Sequence, residues 1–113
     1  MSTPQGAAFH YRRMAPGELA ARLAAGTAPP VYDLREPFEH ATDGAGIAGA
    51  VPLPLSELHR WWPSLDPRAE MVFQCRAGNR SRALCCALAV HGFERVCDLE
   101  GGLEAWQAEL GQG

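Results

Sequence analysis

Short apolar runs separated by turn-forming residues divide this chain into alternating strand and helix candidates. The runs Val31–Leu34, Met71–Phe73 and Phe93–Leu99 are shorter than helices and show little alternation of polar and apolar residues, which predicts strands buried on both faces. A brief strand is also expected within Ile47–Leu55 and an edge strand within Phe9–Arg13. Strands of this kind, alternating with helices, are typical of an α/β domain with a mainly parallel sheet of about five strands and helices on both faces.

Turn residues and apolar spacing predict the helices between these strands. Leu19 and Leu23 lie four residues apart and give one apolar face to a helix that begins near Pro16 and ends at Gly26. Ser81 is suited to the N-cap of a later helix that extends to residue 91. The other helical segments are expected at residues 35–42, at 56–63 and after the glycine pair at 101–102. Residues 1–8 are expected to be disordered, and residues 9–113 to form one domain.

Composition and charge exclude several classes of protein. The 113 residues carry a formal net charge of −3 and no lysine, so the chain lacks the basic surplus of a nucleic-acid-binding domain. The longest apolar run, Ala83–Val90, is far shorter than the ~20 residues that span a bilayer. The first residues lack the charged and apolar regions of a signal peptide. We therefore expect a soluble, cytoplasmic protein that binds neither nucleic acid nor membrane.

The four cysteines of the chain are too few and too apolar in context for a secreted disulfide scaffold. They include no Cys-x-x-Cys pair, and the adjacent Cys85 and Cys86 point to different helix faces, so no metal site is expected. Cys85 and Cys86 are expected to pack in the core behind Cys75. A resolving disulfide between one of them and Cys75 is the less favoured alternative. Cys97 is expected to be buried in a strand.

An anion-binding loop is predicted directly after the strand Met71–Phe73. Cys75 lies between this strand and a helix start, where backbone N–H groups lack intrahelical partners. These groups, with Arg76 and Arg80 nearby, favour a thiolate over a thiol. Gly78 can adopt the positive φ that brings the backbone close to the sulfur. An inert buried cysteine is the alternative, but guanidinium groups are not expected to crowd one. The predicted cradle around the cysteine consists of Arg76, Ala77, Gly78, Asn79, Arg80 and Ser81.

Four segments of the chain resemble the signature motifs of rhodanese-like domains. Cys75–Ser81 is similar to their active-site loop, in which the cysteine carries a sulfane sulfur. Asp33–Glu39 resembles the first signature of the family, Ile47–Ala50 the second and Gly101–Trp106 the closing helix, and the segments occur in the family's order. The family usually has Gly-His-Ile-Pro-Gly-Ala where this chain has Ala45–Ala50. The histidine and the proline of that loop are therefore missing here.

This resemblance implies a rhodanese-like fold and a sulfurtransferase of the thiosulfate type that needs no cofactor. The Cys75 thiolate would take the outer sulfur of thiosulfate or of a persulfide donor and pass it to cyanide, to a thiol or to a sulfur-acceptor protein. Arg76 and Arg80 would hold the anionic donor, and the N–H groups of the loop would stabilise the persulfide. A sulfur-relay or regulatory module with little free turnover is the alternative.

Two further interpretations concern individual positions. A phosphatase or an arsenate reductase would need an arginine six positions after the cysteine, where this chain has Ser81, so this class is disfavoured. Asp33 follows a buried strand and can reach the rim of the site. Arg35 can form an ion pair with Glu36 or Glu39 that stabilises the first signature segment. A structural role is favoured for both Asp33 and Arg35.

Overall fold

One sheet of five parallel strands forms the centre of the computed structural model, which describes residues 11–111. The strands are β1 (Arg12–Met14), β2 (Val31–Asp33), β3 (Val51–Pro52), β4 (Met71–Gln74) and β5 (Val96–Leu99). Their spatial order is β1-β5-β4-β2-β3, and every adjacent pair is parallel. This confirms the predicted α/β domain with a parallel sheet of about five strands, including the brief strand in the Ile47–Leu55 segment.

Helices connect these strands and pack on both sides of the sheet. They are α1 (Pro16–Ala25), α2 (Pro37–Asp43), α3 (Leu58–Trp61), α4 (Asn79–Val90) and α5 (Gly102–Leu110), with 3-10 turns at Leu55–Glu57 and Trp62–Ser64 on either side of α3. The prediction that Ser81 caps its helix is wrong, because α4 begins at Asn79 with Gly78 at the N-cap. Gly78 has φ 95°, a left-handed conformation that glycine adopts readily and that turns the chain into the helix early.

Alternate residues of the central strand β4 enter two separate hydrophobic cores. Met71 and Phe73 pack in a cluster on the side of the sheet that α3 and α4 cover, together with Leu84 of α4. Val72 packs in the cluster of α1 and α5, together with Trp106. Both faces of the strand are therefore buried, which explains its continuous apolar sequence and confirms helices on both faces of the sheet. Trp106, the last residue of the closing-helix motif, is only 6% exposed in this core.

Two predicted core positions lie at the surface instead. Leu19 is fully buried on α1, but Leu23 is 38% exposed one turn later, so the predicted apolar face is buried only at its start. Cys85 and Cys97 are buried as expected, whereas Cys86 is exposed. Leu84, Cys85 and Leu88 form the buried stripe of α4 at the three- and four-residue spacing of a helix face, and Cys86 falls outside that stripe.

None of the helices within residues 11–111 is long and apolar enough to cross a lipid bilayer. The expected edge strand is present as β1, which begins at Arg12. The start of that prediction, at Phe9, and the expected disorder of residues 1–8 fall outside the described residues.

Candidate active site

The cysteine loop, residues 75–81, lies at the carboxyl end of β4, between the ends of β2 and β5 in the sheet. Parallel sheets bind ligands at this edge, because the loops that follow the strands converge there. Cys75 is only 1% exposed, and its Sγ accepts hydrogen bonds from the backbone N–H groups of Gly78 at 3.2 Å and Ser81 at 3.4 Å. The Ser81 hydroxyl lies 3.6 Å from the same sulfur. The first turn of α4 thus surrounds the sulfur with donors that a helix interior would not offer.

Helix α5 holds the loop in this conformation by bonding to its carbonyl groups. The N–H of Leu103 donates to the carbonyl oxygen of Cys75 at 2.8 Å, and the N–H of Glu104 donates to that of Arg76 at 2.9 Å. These donors belong to the first turn of α5, where N–H groups have no partner within the helix. With the first two loop carbonyls held by α5, N–H groups further along the loop are directed at the sulfur.

Glycine is required where the loop and α5 meet. A Cβ on Gly102 would lie 2.5 Å from the carbonyl oxygen of Cys75 and 2.7 Å from that of Arg76, which is closer than real Cβ atoms approach backbone. Gly102 also has a positive φ of 63°, which side chains other than hydrogen disfavour. The glycine pair before α5 therefore determines how closely that helix approaches the cysteine loop, a role that sequence reasoning did not assign to it.

Arg80 is held by a carboxylate from a distant part of the chain. Its guanidinium donates to the two carboxylate oxygens of Glu39 at 2.7 and 2.8 Å. The bonds from Arg80 lower the pKa of Glu39 from its ordinary value of 4.5 to about 2 against the opposing effect of burial, and the backbone N–H of Glu36 assists them. The predicted cradle residue Arg80 thus connects α4 to α2, and its side chain remains 34% exposed.

The remaining loop side chains lie toward solvent. Arg76 is 55% exposed, and its Nε lies 3.2 Å from a carboxylate oxygen of Glu104 and 3.7 Å from one of Asp43. Ala77 and Asn79 are also exposed. The polar groups that bond to the Cys75 sulfur are therefore backbone amides and the Ser81 hydroxyl, and both arginines are paired with carboxylates farther out.

Asp33 and Arg35 form a fully buried ion pair, so the predicted pairing of Arg35 with Glu36 or Glu39 is wrong. Nη2 of Arg35 lies 2.9 Å from Oδ2 of Asp33, and Nη1 donates to the carbonyl oxygen of Gly44 at 3.1 Å. The two glutamates have other partners, Arg80 for Glu39 and the Ser56 hydroxyl for Glu36. A guanidinium removed from water needs a buried carboxylate, and Asp33 supplies one two residues away.

An imidazole lies beside this ion pair although the loop 45–50 has none. Nδ1 of His40, on α2, is 3.3 Å from Nη2 of Arg35, and its Nε2 is 3.6 Å from Oδ2 of Asp33. Gly46 occupies the position of the family's loop histidine, and a Cβ there would lie 2.6 Å from the Arg35 guanidinium. Sequence reasoning missed His40, since its position on α2 gave no signal that it would contact Asp33 and Arg35.

The chain is similar in sequence and in structure to several known proteins. A family model described as a rhodanese-like domain matches residues 15–109. Over 78 residues the chain is 35% identical to the thiosulfate sulfurtransferase GlpE of Ectopseudomonas mendocina, and this alignment covers 69% of this chain and 70% of that protein. It is 42% identical over 80 residues to an uncharacterized protein of Synechocystis, covering 68% of this chain but only 42% of that relative. The crystal structure of a rhodanese-related protein from Thermoplasma volcanium has a TM-score of 0.72 and 34% identity, covering 88% of this chain and 93% of that one.

Proposed function

The chain belongs to the family of rhodanese-like domains, which includes named sulfurtransferases, and we propose that it transfers a sulfane sulfur from thiosulfate to a thiophilic acceptor through a persulfide on Cys75. One observation carries this proposal. The sulfur of Cys75 lies at the carboxyl edge of the sheet and accepts two backbone N–H bonds, from Gly78 and Ser81. Amide donors of this kind stabilise negative charge on sulfur, and the thiolate is the reactive form of cysteine.

In the first half-reaction the Cys75 thiolate attacks the outer sulfur of thiosulfate. A bond forms between the two sulfurs, the bond from the outer sulfur to the sulfonate sulfur breaks, and its electron pair leaves with sulfite. The charge of −3 on thiolate plus thiosulfate is conserved as persulfide anion plus sulfite. The outer sulfur of the persulfide then carries the negative charge that the loop N–H groups can stabilise.

In the second half-reaction an acceptor removes the outer sulfur. Cyanide bonds to that sulfur, the sulfur–sulfur bond breaks, and its electron pair returns to Cys75 as the thiolate, so that thiocyanate leaves. A thiol acceptor reacts in the same way and becomes a persulfide itself. The two steps share one covalent intermediate, and ping-pong kinetics are expected.

The surroundings of Cys75 favour a small anionic donor. Because Cys75 is only 1% exposed, the donor must present a slender terminal atom to reach its sulfur. Arg76 lies at the mouth of the loop with a half-exposed guanidinium, and Arg80 lies on the first turn of α4. Both can add a hydrogen bond to a sulfonate oxygen while retaining their carboxylate partners, since a guanidinium has five N–H donors. We assign the binding of the anionic donor to these two side chains.

Mass spectrometry of the intact protein tests the covalent step. Brief exposure to thiosulfate should add one sulfur, about 32 Da, and proteolysis should locate it on Cys75. Cyanide should then remove the sulfur and release thiocyanate. An adduct that forms without catalytic turnover would favour a sulfur-relay role. Absence of any adduct, with the Cys75 thiol shown to be free, would contradict the proposed mechanism.

A further inference from the structure

Two carboxylates from different helices approach the guanidinium of Arg76 at the mouth of the cysteine loop. Asp43 is the last residue of α2, and Glu104 lies in the first turn of α5. Their carboxylate oxygens lie 3.7 and 3.2 Å from Nε of Arg76, which is the nitrogen nearest to both. The guanidinium therefore bridges α2 and α5 through Nε, and the two Nη groups, which carry most of its N–H donors, lie farther from the carboxylates.

The two arginines of the cysteine loop differ in how their charge is compensated. Arg80 makes a bidentate pair with Glu39 at 2.7 and 2.8 Å, so one carboxylate balances one guanidinium. Arg76 is shared by Asp43 and Glu104, so one positive and two negative charges meet there and the three side chains sum to −1. The Arg76 side of the mouth therefore has one carboxylate in excess.

The charged end of a sulfur donor has to stay beside these three side chains. Because Cys75 is only 1% exposed, the outer sulfur of the donor enters the loop while its sulfonate remains at the mouth. A sulfonate oxygen bonded to an Nη group of Arg76 lies within about 8 Å of a carboxylate that contacts the same guanidinium. At that distance each carboxylate repels the sulfonate, and physiological salt screens the repulsion only in part.

Helix stability does not explain why an acid stands at position 43. A negative side chain at the C-terminal end of a helix is unfavourable, because the carbonyl groups there carry partial negative charge. Exposed ion pairs such as those of Arg76 also contribute little to the free energy of folding. The effect of the two carboxylates on an approaching anion is therefore the property that their removal should change most.

We propose that Asp43 and Glu104 are specificity-determining residues that lower the advantage of a dianionic sulfur donor over a monoanionic one. This inference rests on the sulfurtransferase function proposed above. Thiosulfate brings two negative charges to the mouth of the loop, whereas an organic thiosulfonate or a persulfide brings one. Arg76 attracts both classes of donor, and the two carboxylates repel the dianion more strongly. They thereby shift the selectivity of the site toward thiosulfonate and persulfide donors.

Thiosulfate and methanethiosulfonate provide the comparison, because they differ in charge and transfer sulfur in the same way. The Cys75 thiolate bonds to the outer sulfur of methanethiosulfonate, the bond from this sulfur to the sulfonyl sulfur breaks, and its electron pair leaves with methanesulfinate. The charge of −2 on the two reactants is conserved as persulfide anion plus sulfinate, and no oxidant or reductant is consumed. The kcat/KM of each donor is measured with cyanide as the acceptor.

Asp43→Asn and Glu104→Gln remove one charge each with almost no change in shape. In each variant the ratio of the thiosulfate kcat/KM to the methanethiosulfonate kcat/KM should rise about twofold at low ionic strength, and about fourfold in the double variant. The rise should disappear in about 1 M salt. Glu109→Gln is the matched control, since it removes the same charge at an exposed position farther along α5 and should leave the ratio nearly unchanged. The proposal is wrong if neither variant changes the ratio, or if the control changes it equally.

Alkylation of Cys75 separates this inference from the proposed function, because it requires no persulfide. Iodoacetate is an anion and iodoacetamide is neutral, and each bonds through carbon to the thiolate with loss of iodide. Peptide mass spectrometry follows Cys75 by itself, since Cys86 is also an exposed thiol. The ratio of the iodoacetate rate to the iodoacetamide rate should rise about twofold in Asp43→Asn and in Glu104→Gln, and not in Glu109→Gln.

The two experiments together distinguish the possible failures. Normal persulfide formation with an alkylation ratio that is the same in all variants supports the enzyme and refutes the role of the two carboxylates. An alkylation ratio that rises in Asp43→Asn and Glu104→Gln, without persulfide formation from either donor, supports the effect of the carboxylates on anions and refutes sulfur transfer.

Discussion

Cys75 and Cys85 are both buried in one hydrophobic cluster, but the backbone groups near their two sulfurs differ. Cys75 is 1% exposed and Cys85 fully buried, so exposure does not distinguish them. Cys75 lies ahead of α4, where the first N–H groups of the helix are free to bond its sulfur. Cys85 lies in the middle of α4, where backbone N–H groups are used within the helix.

This difference in backbone donors explains why Cys85 is not a candidate nucleophile. Burial without compensating donors raises the pKa of the Cys85 thiol, so this side chain stays protonated at neutral pH. It is therefore unsuited to the resolving role that was the alternative to simple packing. The comparison teaches that a buried cysteine becomes a candidate nucleophile when nearby amide N–H groups point at its sulfur. Its depth in the protein does not distinguish a nucleophile from a packing residue.

The largest effect is expected from removing each sulfur in turn. Cys75→Ser should lower thiocyanate formation at least ~1000-fold, because a serine hydroxyl forms no persulfide. Cys85→Ala should change the rate by less than about twofold and lower the free energy of unfolding by about 1–2 kcal/mol, as a small cavity does. Steady-state assays and urea unfolding measure both. Comparable rate losses in the two variants would remove the functional distinction between the two cysteines.

The next largest effect is expected from disturbing the contact between α5 and the cysteine loop, which holds the amide donors in place. Gly102→Ala introduces a Cβ against the carbonyl oxygens of Cys75 and Arg76, so α5 must move away from the loop. We expect a loss of about 2–4 kcal/mol in unfolding free energy and at least a tenfold slower persulfide formation.

Gly92→Ala is the control for this substitution. Gly92 also has a positive φ, of 91°, but a Cβ there would meet no atom within 4 Å. It should cost about 1–2 kcal/mol for the backbone strain alone and leave persulfide formation unchanged. If both variants slowed persulfide formation equally, the contact between Gly102 and the cysteine loop would not explain the effect.

A smaller effect is expected from the ion pair that connects Arg80 to α2. Because the pKa of Glu39 is about 2 in the folded protein and ordinarily 4.5, this carboxylate stabilises the fold above pH 4.5, and the contribution is lost as the pH falls toward 2. Glu39→Gln should destabilise the protein by about 1 kcal/mol at pH 7, a modest value because the Arg80 side chain is one-third exposed. The variant should also show a weaker loss of stability between pH 4.5 and pH 2.

Glu104→Gln is the matched control for Glu39→Gln. Glu104 and its partner Arg76 are both more than half exposed, so this change should leave stability and its pH dependence nearly unaltered. Urea unfolding at several pH values measures both variants. An unchanged pH dependence in Glu39→Gln would show that the pair with Arg80 does not lower the pKa of Glu39.

The smallest effect on stability is expected for Arg76. Because its side chain lies at the mouth of the loop in exposed ion pairs, Arg76→Ala should change the free energy of unfolding by less than about 0.5 kcal/mol. It should raise the KM for thiosulfate about threefold with little change in kcat, as loss of a binding contact does. Arg68→Ala, at an exposed position before the amino end of β4, should change neither value. A KM unaffected by Arg76→Ala would remove this arginine from the donor site.

Local sequence patterns predicted the elements of the fold well. The apolar runs correspond to β2, β4 and β5, the Gly101–Gly102 pair precedes α5, and Cys75 lies at the strand end where it was expected. These features depend on the burial and conformational preference of neighbouring residues, which the sequence displays directly. The sequence pattern predicts the N-cap of α4 at Ser81, but the helix begins at Asn79 with Gly78 as its N-cap. Gly78 was expected to adopt a positive φ near the sulfur, and this conformation also starts the helix.

Charged side chains were harder to place from the sequence. Arg35 was expected to pair with Glu36 or Glu39 but is bound by Asp33. Arg80 was expected in the anion cradle, and no pattern in the sequence indicated its partner Glu39, 41 positions earlier. Each arginine can reach several carboxylates along the chain. The choice among them depends on which carboxylates burial brings close, and that depends on how α2 and α4 pack.

By itself the sequence determined an alternating α/β chain, the family to which its motifs belong, and the position of one cysteine between a strand and a helix. Only the tertiary structure decided which groups surround that cysteine, since α5 approaches its loop through Gly102 and α2 holds Arg80 through Glu39. The physical reason is that elements form from preferences spread over a few neighbouring residues. The direction of an amide or the partner of a guanidinium depends on contacts between segments that are distant in the chain.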